Sequence, residues 1–168
     1  MFSTTQQLRL LVAVILIGLL QACGFQLRGA VELSSDMSPI YLQQNSVFEL
    51  GREINALLIS NKIDLADDKK QSNAQLILVK EAKKRRVLSV GGDGRAREYL
   101  LSYTVNFSIK INTSKQAVDD VISLSRSLLF DPDAVLAVAN ESEILYKDMR
   151  RDAARLILLK LQAKGAGE

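Results

Sequence analysis

From Glu98 to Ile111 apolar and polar residues alternate almost without a break. Tyr99, Leu101, Tyr103, Val105, Phe107, Ile109 and Ile111 take the odd positions. Glu98, Ser102, Thr104, Asn106, Ser108 and Lys110 take the even ones, with Leu100 the exception. A period of two sends the two sets to opposite sides of an extended chain, so this segment predicts a strand with one apolar and one polar face. Upstream, Ala74 to Val90 reads as a strand interrupted by Lys83-Lys84-Arg85-Arg86. Gly91-Gly92-Asp93-Gly94 supplies the permissive backbone of a hairpin turn between the two. Asn112 to Lys115 is the next turn. Val118 to Phe130 follows as a third long strand, with Ile122, Leu124, Leu128 and Phe130 in alternation, and Asp131-Pro132 ends it.

The pattern changes to helical spacing on either side of these strands. Ser46 and Glu49 fit a capping box, and Leu50, Ile54, Leu57 and Leu58 then share one face, which predicts a helix over 47–60 stopped near Asn61. Ile40-Tyr41-Leu42 is a short strand candidate before it, and Ile63 to Ala66 a brief extended piece after it. Asn140 with Glu143 marks a second helix start. Leu145, Met149, Ala153, Leu156 and Lys160 lie on one stripe with Ile157 beside it, so this helix should run from about 141 to 163 and stop at Gly165. The order is short strand, helix, three long antiparallel strands, long helix. One-sided strands and one-sided helices predict an α+β fold: two helices packed on one face of a mostly antiparallel four-stranded sheet.

The amino-terminal segment follows a different logic. Arg9 precedes an unbroken apolar run, Leu10 to Leu20, which is the layout of a secretory signal and too short for a membrane span of about 20 residues. The run ends Leu20-Gln21-Ala22-Cys23, and Cys23 is the only cysteine of the chain. A branched residue three before a cysteine and a small residue one before it resemble the lipobox of bacterial lipoproteins. The resemblance implies cleavage after Ala22 and lipidation of Cys23, with an S-diacylglycerol on its sulfur and an N-acyl group on its new amino terminus. Several acyl chains anchor a protein stably where one does not. Asp at the position after the cysteine usually marks inner-membrane retention in lipoproteins, so Gly24 implies the outer membrane. The alternative is an ordinary signal peptide with an incidental cysteine, which leaves an odd thiol in an oxidising compartment without a role. The expected organisation is a signal peptide over 1–22, a lipidated tether over 23–39, a single domain over 40–164 and a tail over 165–168.

Removing 22 of the 168 residues leaves 146, enough for one domain with a real core. There is no histidine and no tryptophan, and the one cysteine is the lipidation candidate. Metal sites of His and Cys, His-based triads and Cys nucleophiles are therefore excluded from the mature chain. No phosphate-binding glycine loop, nucleophile elbow or solenoid repeat is present. A Ser–Lys hydrolase remains formally open, but no local spacing points to one. The sequence thus predicts no catalytic residues, no metal and no cofactor.

Four segments carry a family resemblance. Cys23-Gly24-Phe25-Gln26-Leu27-Arg28-Gly29, Glu98-Tyr99 opening the alternating strand, Arg126-Ser127-Leu128-Leu129-Phe130-Asp131 closing the next, and Asn140-Glu141 opening the last helix resemble, in this order and spacing, the LPS-assembly lipoprotein (LptE) family. The resemblance spans essentially the whole mature chain. It implies a two-helix, four-stranded fold and a non-enzymatic lipoprotein of the outer membrane, anchored by lipid on the periplasmic side. It also implies residence within the lumen of the barrel (LptD) that delivers lipopolysaccharide to the cell surface. There the family plugs the barrel, helps it assemble and binds lipopolysaccharide. A different envelope role, as pilot or accessory lipoprotein of another machine such as a secretin, is the alternative.

Two sets of residues are candidates for these contacts. Lys83, Lys84, Arg85 and Arg86 approach the hairpin turn, and Arg95 and Arg97 leave it. Clustered Arg and Lys suit lipid A phosphates through charge-assisted contacts; they also suit a charged strand edge that deters pairing. Basic residues that the family uses for this contact align near Gly92 and Val138, which are not basic here, so their roles are not carried over and Arg86 and Arg95 would have to supply them. Nucleic acid fits the cluster poorly, because the export signal sends the chain to another compartment. Ser102, Thr104, Asn106 and Ser108 carry little charge for a face in bulk water and suit the polar wall of a barrel; the alternative is a plain solvated sheet face. Lys147, Arg150, Arg151, Arg155, Lys160 and Lys164 on the last helix read as a solvated helix face with favourable charge near its C-terminus.

Overall fold

The computed structural model describes residues 33–34, 37–44, 47–112 and 116–165, all within the unit Val31–Glu168. The leader, Cys23, Ser46 and Lys115 lie outside the described residues. In chain order the elements are β1 (Ile40–Gln44), α1 (Phe48–Ser60), β2 (Ala74–Val90), β3 (Ala96–Ile111), β4 (Val118–Leu129) and α2 (Val135–Gly165). The four strands form one sheet in the order β1-β2-β3-β4. β1 runs parallel to β2, and the other two neighbours are antiparallel. This is the α+β architecture that the alternating pattern predicts.

β3 is the central element. Leu101, Tyr103, Val105, Phe107, Ile109 and Ile111 are all buried, and they form the floor on which both helices rest. α1 contributes Leu50, Ile54 and Leu58, and α2 contributes Met149, Ala153, Ile157 and Leu161. Met37, just ahead of β1, is buried in the same core. Full burial of a Leu or Phe side chain is worth about 1.5–3 kcal/mol, so this single layer of side chains dominates the stability of the fold.

α1 starts differently from the expected capping box. Val47 occupies the N-cap with no side-chain cap bond, Ser46 lies outside the described residues, and the Glu49 carboxylate pairs with the Arg150 guanidinium of α2. The end near Asn61 is as expected. The Lys62 N–H donates to the Ile59 carbonyl and the Ile63 N–H to the Leu58 carbonyl, both at 3.0 Å, with Lys62 at φ 59°. Those bonds close the last turn and release the chain toward β2.

β2 is one continuous strand through Lys83–Arg86, not an interrupted one, and it is bent by irregularities. A bulge at Val79 shifts the register between Leu78 and Lys80, and another lies between Val87 and Ser89. Before the first bulge the even residues Ala74, Leu76 and Leu78 pair with the core-facing Ile111, Ile109 and Phe107. After it the odd residues Glu81, Lys83, Arg85 and Val87 pair with the core-facing Val105, Tyr103, Leu101 and Tyr99. One extra residue has moved every later side chain to the other face. At the hairpin, Gly94 has φ 76°, a conformation that favours glycine, and the Gly91 N–H donates to the Arg95 carbonyl at 2.8 Å.

α2 begins at Val135, six residues before the expected start, and runs through Gly165. The Asp131 carboxylate accepts from the Asp133 N–H at 2.9 Å, and its carbonyl accepts from the Ala134 N–H at 3.2 Å. This turn, built by Asp131-Pro132-Asp133, launches the helix earlier than Asn140 and leaves Asn140 in its interior. The buried stripe is also rotated from the expected one. Leu156 sits on the rim, while Tyr146, Arg150, Ala154, Ile157 and Leu158 face inward.

Candidate functional site

Ser102, Thr104, Asn106 and Ser108 come together on the face of β3 that points away from both helices. Their cross-strand neighbours on β4 are Ser125, Ser123, Val121 and Asp119. The result is a lattice of hydroxyls. The Thr104 and Ser123 hydroxyls lie 3.2 Å apart, and the Ser108 hydroxyl donates to the Asp119 carboxylate at 2.5 Å. Ser108 is buried, whereas Asn106 is exposed. Val79 and Val121, both exposed, flank a shallow hollow of about 460 Å³ beside Asn106 and Ser108. Ser125 and Ser127 extend the hydroxyl set beyond the residues foreseen from β3 alone; the signal was Ser at 123, 125 and 127, with a period of two.

The basic cluster does not act as one patch. Because the Val79 bulge resets the parity, Lys83 and Arg85 lie on the helix face and Lys84 and Arg86 on the hydroxyl face. Lys83 stands 5.2 Å from the Tyr146 ring centroid and 3.8 Å from the Glu143 carboxylate, and Arg85 covers the Tyr99 ring at 4.8 Å. These two charges are engaged with the fold's own aromatic rings. The Tyr146 hydroxyl also donates to the Lys84 carbonyl at 2.9 Å, tying α2 to β2. Burial pushes the Tyr146 hydroxyl above its ordinary range and keeps it protonated as that donor.

Arg95 and Arg97 sit at the hairpin end. Arg95 lies 4.0 Å from Asp93, and both arginines line a groove of about 390 Å³ with Leu129 and Phe130. Leu129 is 71% exposed and Leu136, in the first turn of α2, is 82% exposed. Val87, Leu88 and Val90 are exposed on the hairpin strand itself. This end therefore offers cationic and apolar surface together. The apolar part was foreseeable in one place: Leu128 and Leu129 are consecutive, so a strand must turn one of them outward.

A second charged set lies inside. The Tyr103 hydroxyl donates to the Glu81 carboxylate at 2.6 Å, and burial, then Glu81, pushes that hydroxyl well above its ordinary range. Arg150 is only 8% exposed and is paired with Glu49, so it departs from the solvated face expected for it. Its position was legible, because 146, 150, 153, 157 and 161 follow the spacing of one helix face. On β4, Asp120 and Arg126 point toward the helices and meet Lys160 at 2.6 Å and Asp152 at 2.9 Å. The hydrogen bond from Lys160 holds the Asp120 carboxyl below the usual carboxylate range. These pairs fix how α2 lies across the sheet. Among the described residues no group of three or more His, Cys, Asp or Glu side chains gathers as a metal site, and no helix is long and apolar enough to cross a membrane.

Comparison with known proteins agrees with this fold. A protein-family model described as LptE, lipopolysaccharide-assembly, matches residues 37–161. The LPS-assembly lipoprotein LptE of Photorhabdus laumondii is 26% identical over 145 residues, covering 83% of this chain and 76% of that protein. The crystal structure of rare lipoprotein B from Shewanella oneidensis superposes with a TM-score of 0.69 at 30% identity, over 74% of this chain and 94% of that one. The solution structure of a lipoprotein B from Nitrosomonas europaea gives 0.73 at 29% identity, over 85% and 93%. The family match covers the strands, both helices and the hairpin described above, and the chain belongs to the LptE family of non-enzymatic lipopolysaccharide-assembly lipoproteins.

Proposed function

We propose that the chain plugs and helps assemble the lipopolysaccharide-translocating outer-membrane barrel (LptD), and contacts lipopolysaccharide as it passes. The observation that carries docking is the hydroxyl face of β3 and β4. Its central residues Ser102, Thr104, Ser123 and Ser125 are small, uncharged and able to hydrogen-bond in both directions. A sheet face in bulk water needs no such restraint, whereas a face packed on the polar interior of a barrel does. Close packing tolerates neither added volume nor unpaired charge. Thr104→Arg and Asn106→Arg are therefore expected to leave the domain folded and to lower co-purification with the barrel by about an order of magnitude. Wild-type yields from both variants would move the docking surface to the helices or loops. Recovery of a secretin in place of the lipopolysaccharide barrel would favour the accessory-lipoprotein role.

The hairpin end supports the contact with lipopolysaccharide. Arg86, Arg95 and Arg97 supply charge for phosphates, and Val90, Leu129 and Leu136 supply apolar surface for an amphiphile. Replacing the three arginines by Glu should weaken lipopolysaccharide binding more than about tenfold and make the remainder less sensitive to salt. Unchanged binding by the folded variant would return these residues to edge protection.

Cys23 lies outside the described residues, and the lipidated anchor there, with a signal peptide ahead of it, rests on the lipobox and on lipoprotein relatives. Cys23→Ala should abolish labelling with a fatty-acid probe. Normal labelling would exclude this residue as the acceptor.

A further inference from the structure

β1 is short. Its five residues pair with Ala74–Leu78, and the ladder on that side stops at the Val79 bulge. From Lys80 to Val90, among the described residues, β2 is paired with β3 on one side and with no strand on the other. This open edge is about 36 Å long at 3.3 Å per residue. Its backbone polarity can be read from the ladder. The Asn112 N–H donates to the Asn73 carbonyl at 2.8 Å, and the Phe130 N–H to the Arg97 carbonyl at 2.8 Å. Even-numbered residues of β3 therefore turn their backbone groups toward β2, and odd-numbered ones toward β4. Ser102 and Leu100 face Lys84 and Arg86 across the ladder, so the N–H and C=O groups of Lys83, Arg85 and Val87 point out of the sheet. They are arranged as a strand template.

The side chains along this edge select what it can pair with. Lys80, Lys84 and Arg86 lie on the hydroxyl face at intervals along the edge. Lys83 and Arg85, on the helix face, are engaged with Tyr146 and Tyr99. Val87, Leu88 and Val90 are exposed and gain from being covered. Charged edges deter indiscriminate pairing, and the sign of the charge sets the exception. A basic strand laid beside Lys84 and Arg86 meets like charge, while a carboxylate there meets opposite charge across the ladder.

We infer that this edge of β2 takes up an extended acidic segment of a partner protein as an additional strand, continuous with β1. Carboxylates recur at every second position of that segment, on the hydroxyl face opposite Lys84 and Arg86. Backbone hydrogen bonds to Lys83, Arg85 and Val87 supply affinity, and the basic row supplies register and selectivity. This rests on the proposal that the chain works against a protein partner, but it uses the outer edge of β2 and not the Thr104 and Asn106 surface of β3, so the two can fail separately.

The test is residue-resolved hydrogen exchange on the full chain with a short peptide alternating Glu and Val. The Arg85 and Val87 amides are expected to exchange quickly in the free chain and to slow about tenfold or more when the peptide is bound. A Lys and Val peptide and inorganic phosphate are expected to leave them unchanged. Val87→Pro removes an outward N–H without touching the ladder to β3 and should weaken peptide binding about tenfold, while Val87→Ala keeps the N–H and should weaken it no more than about threefold. Thr104→Arg should bind the peptide normally. The inference is overturned if the two amides are already protected in the free chain or stay unprotected with the Glu peptide. It is equally overturned if both peptides protect alike, or if Val87→Pro binds as Val87→Ala does.

Discussion

Leu101→Arg is expected to leave the chain without a cooperative folded state. Leu101 is 0% exposed at the middle of β3, on the face covered by both helices. Its cross-strand neighbours on that face are Arg85 of β2 and Arg126 of β4. A guanidinium at 101 would lose its hydration and find a cation on each side, with no carboxylate opposite it in the ladder. An uncompensated buried charge alone costs about 3–5 kcal/mol, and like-charge neighbours add to it, against a total stability of about 5–15 kcal/mol for such domains. Urea unfolding followed by circular dichroism should show no transition. Leu101→Met should lose less than about 1.5 kcal/mol, because it keeps the volume and adds no charge. A normal transition for Leu101→Arg would mean that the apolar face of β3 is not the one the helices cover.

Phe107→Ala is expected to lose about 3–5 kcal/mol, the range for a fully buried aromatic ring. Phe107 is 1% exposed and lies between Leu78 and Asp120 in the ladder. The ring occupies the core beside the Asp120–Lys160 pair. Its removal opens a cavity that the rigid sheet closes only in part. Chemical denaturation of Phe107→Ala beside Phe107→Leu separates the cavity from the loss of aromatic character, with the Leu variant expected to retain most of the stability. A loss below about 1 kcal/mol for the Ala variant would show that the site collapses or is not sealed.

The legible and illegible parts of this chain divide along a physical line. The alternation from Tyr99 to Ile111 is readable because β3 pairs with β4 from Glu98 to Ile109 without a register shift, so parity in sequence equals face in space. The same rule misreads β2. One unpaired residue at Val79 flips the parity, and the run Lys83–Arg86, which looks like a break in a strand, is a strand divided between two faces. No local feature of a valine announces a bulge; it is created by pairing with β3. The start of α2 departs from its local pattern for the opposite reason. Asn140 is a good cap in isolation, but the turn at Asp131 to Ala134 satisfied its backbone groups first and set the helix going.

The sequence by itself determined the fold class, the faces of β3, the hairpin, the two helices and the exclusion of histidine chemistry. Each follows from periodicity or composition, which act over a few neighbouring residues or over the chain as a whole. Only the tertiary structure decided which basic residues remain available, because Lys83 and Arg85 are engaged by rings 63 and 14 residues further along the chain, at Tyr146 and Tyr99. It also decided that Arg150 is buried against Glu49, that β4 completes the hydroxyl face, and that a short β1 leaves most of β2 open. Those are long-range pairings, and a pattern of spacing along one strand or helix carries no information about what will lie beside it.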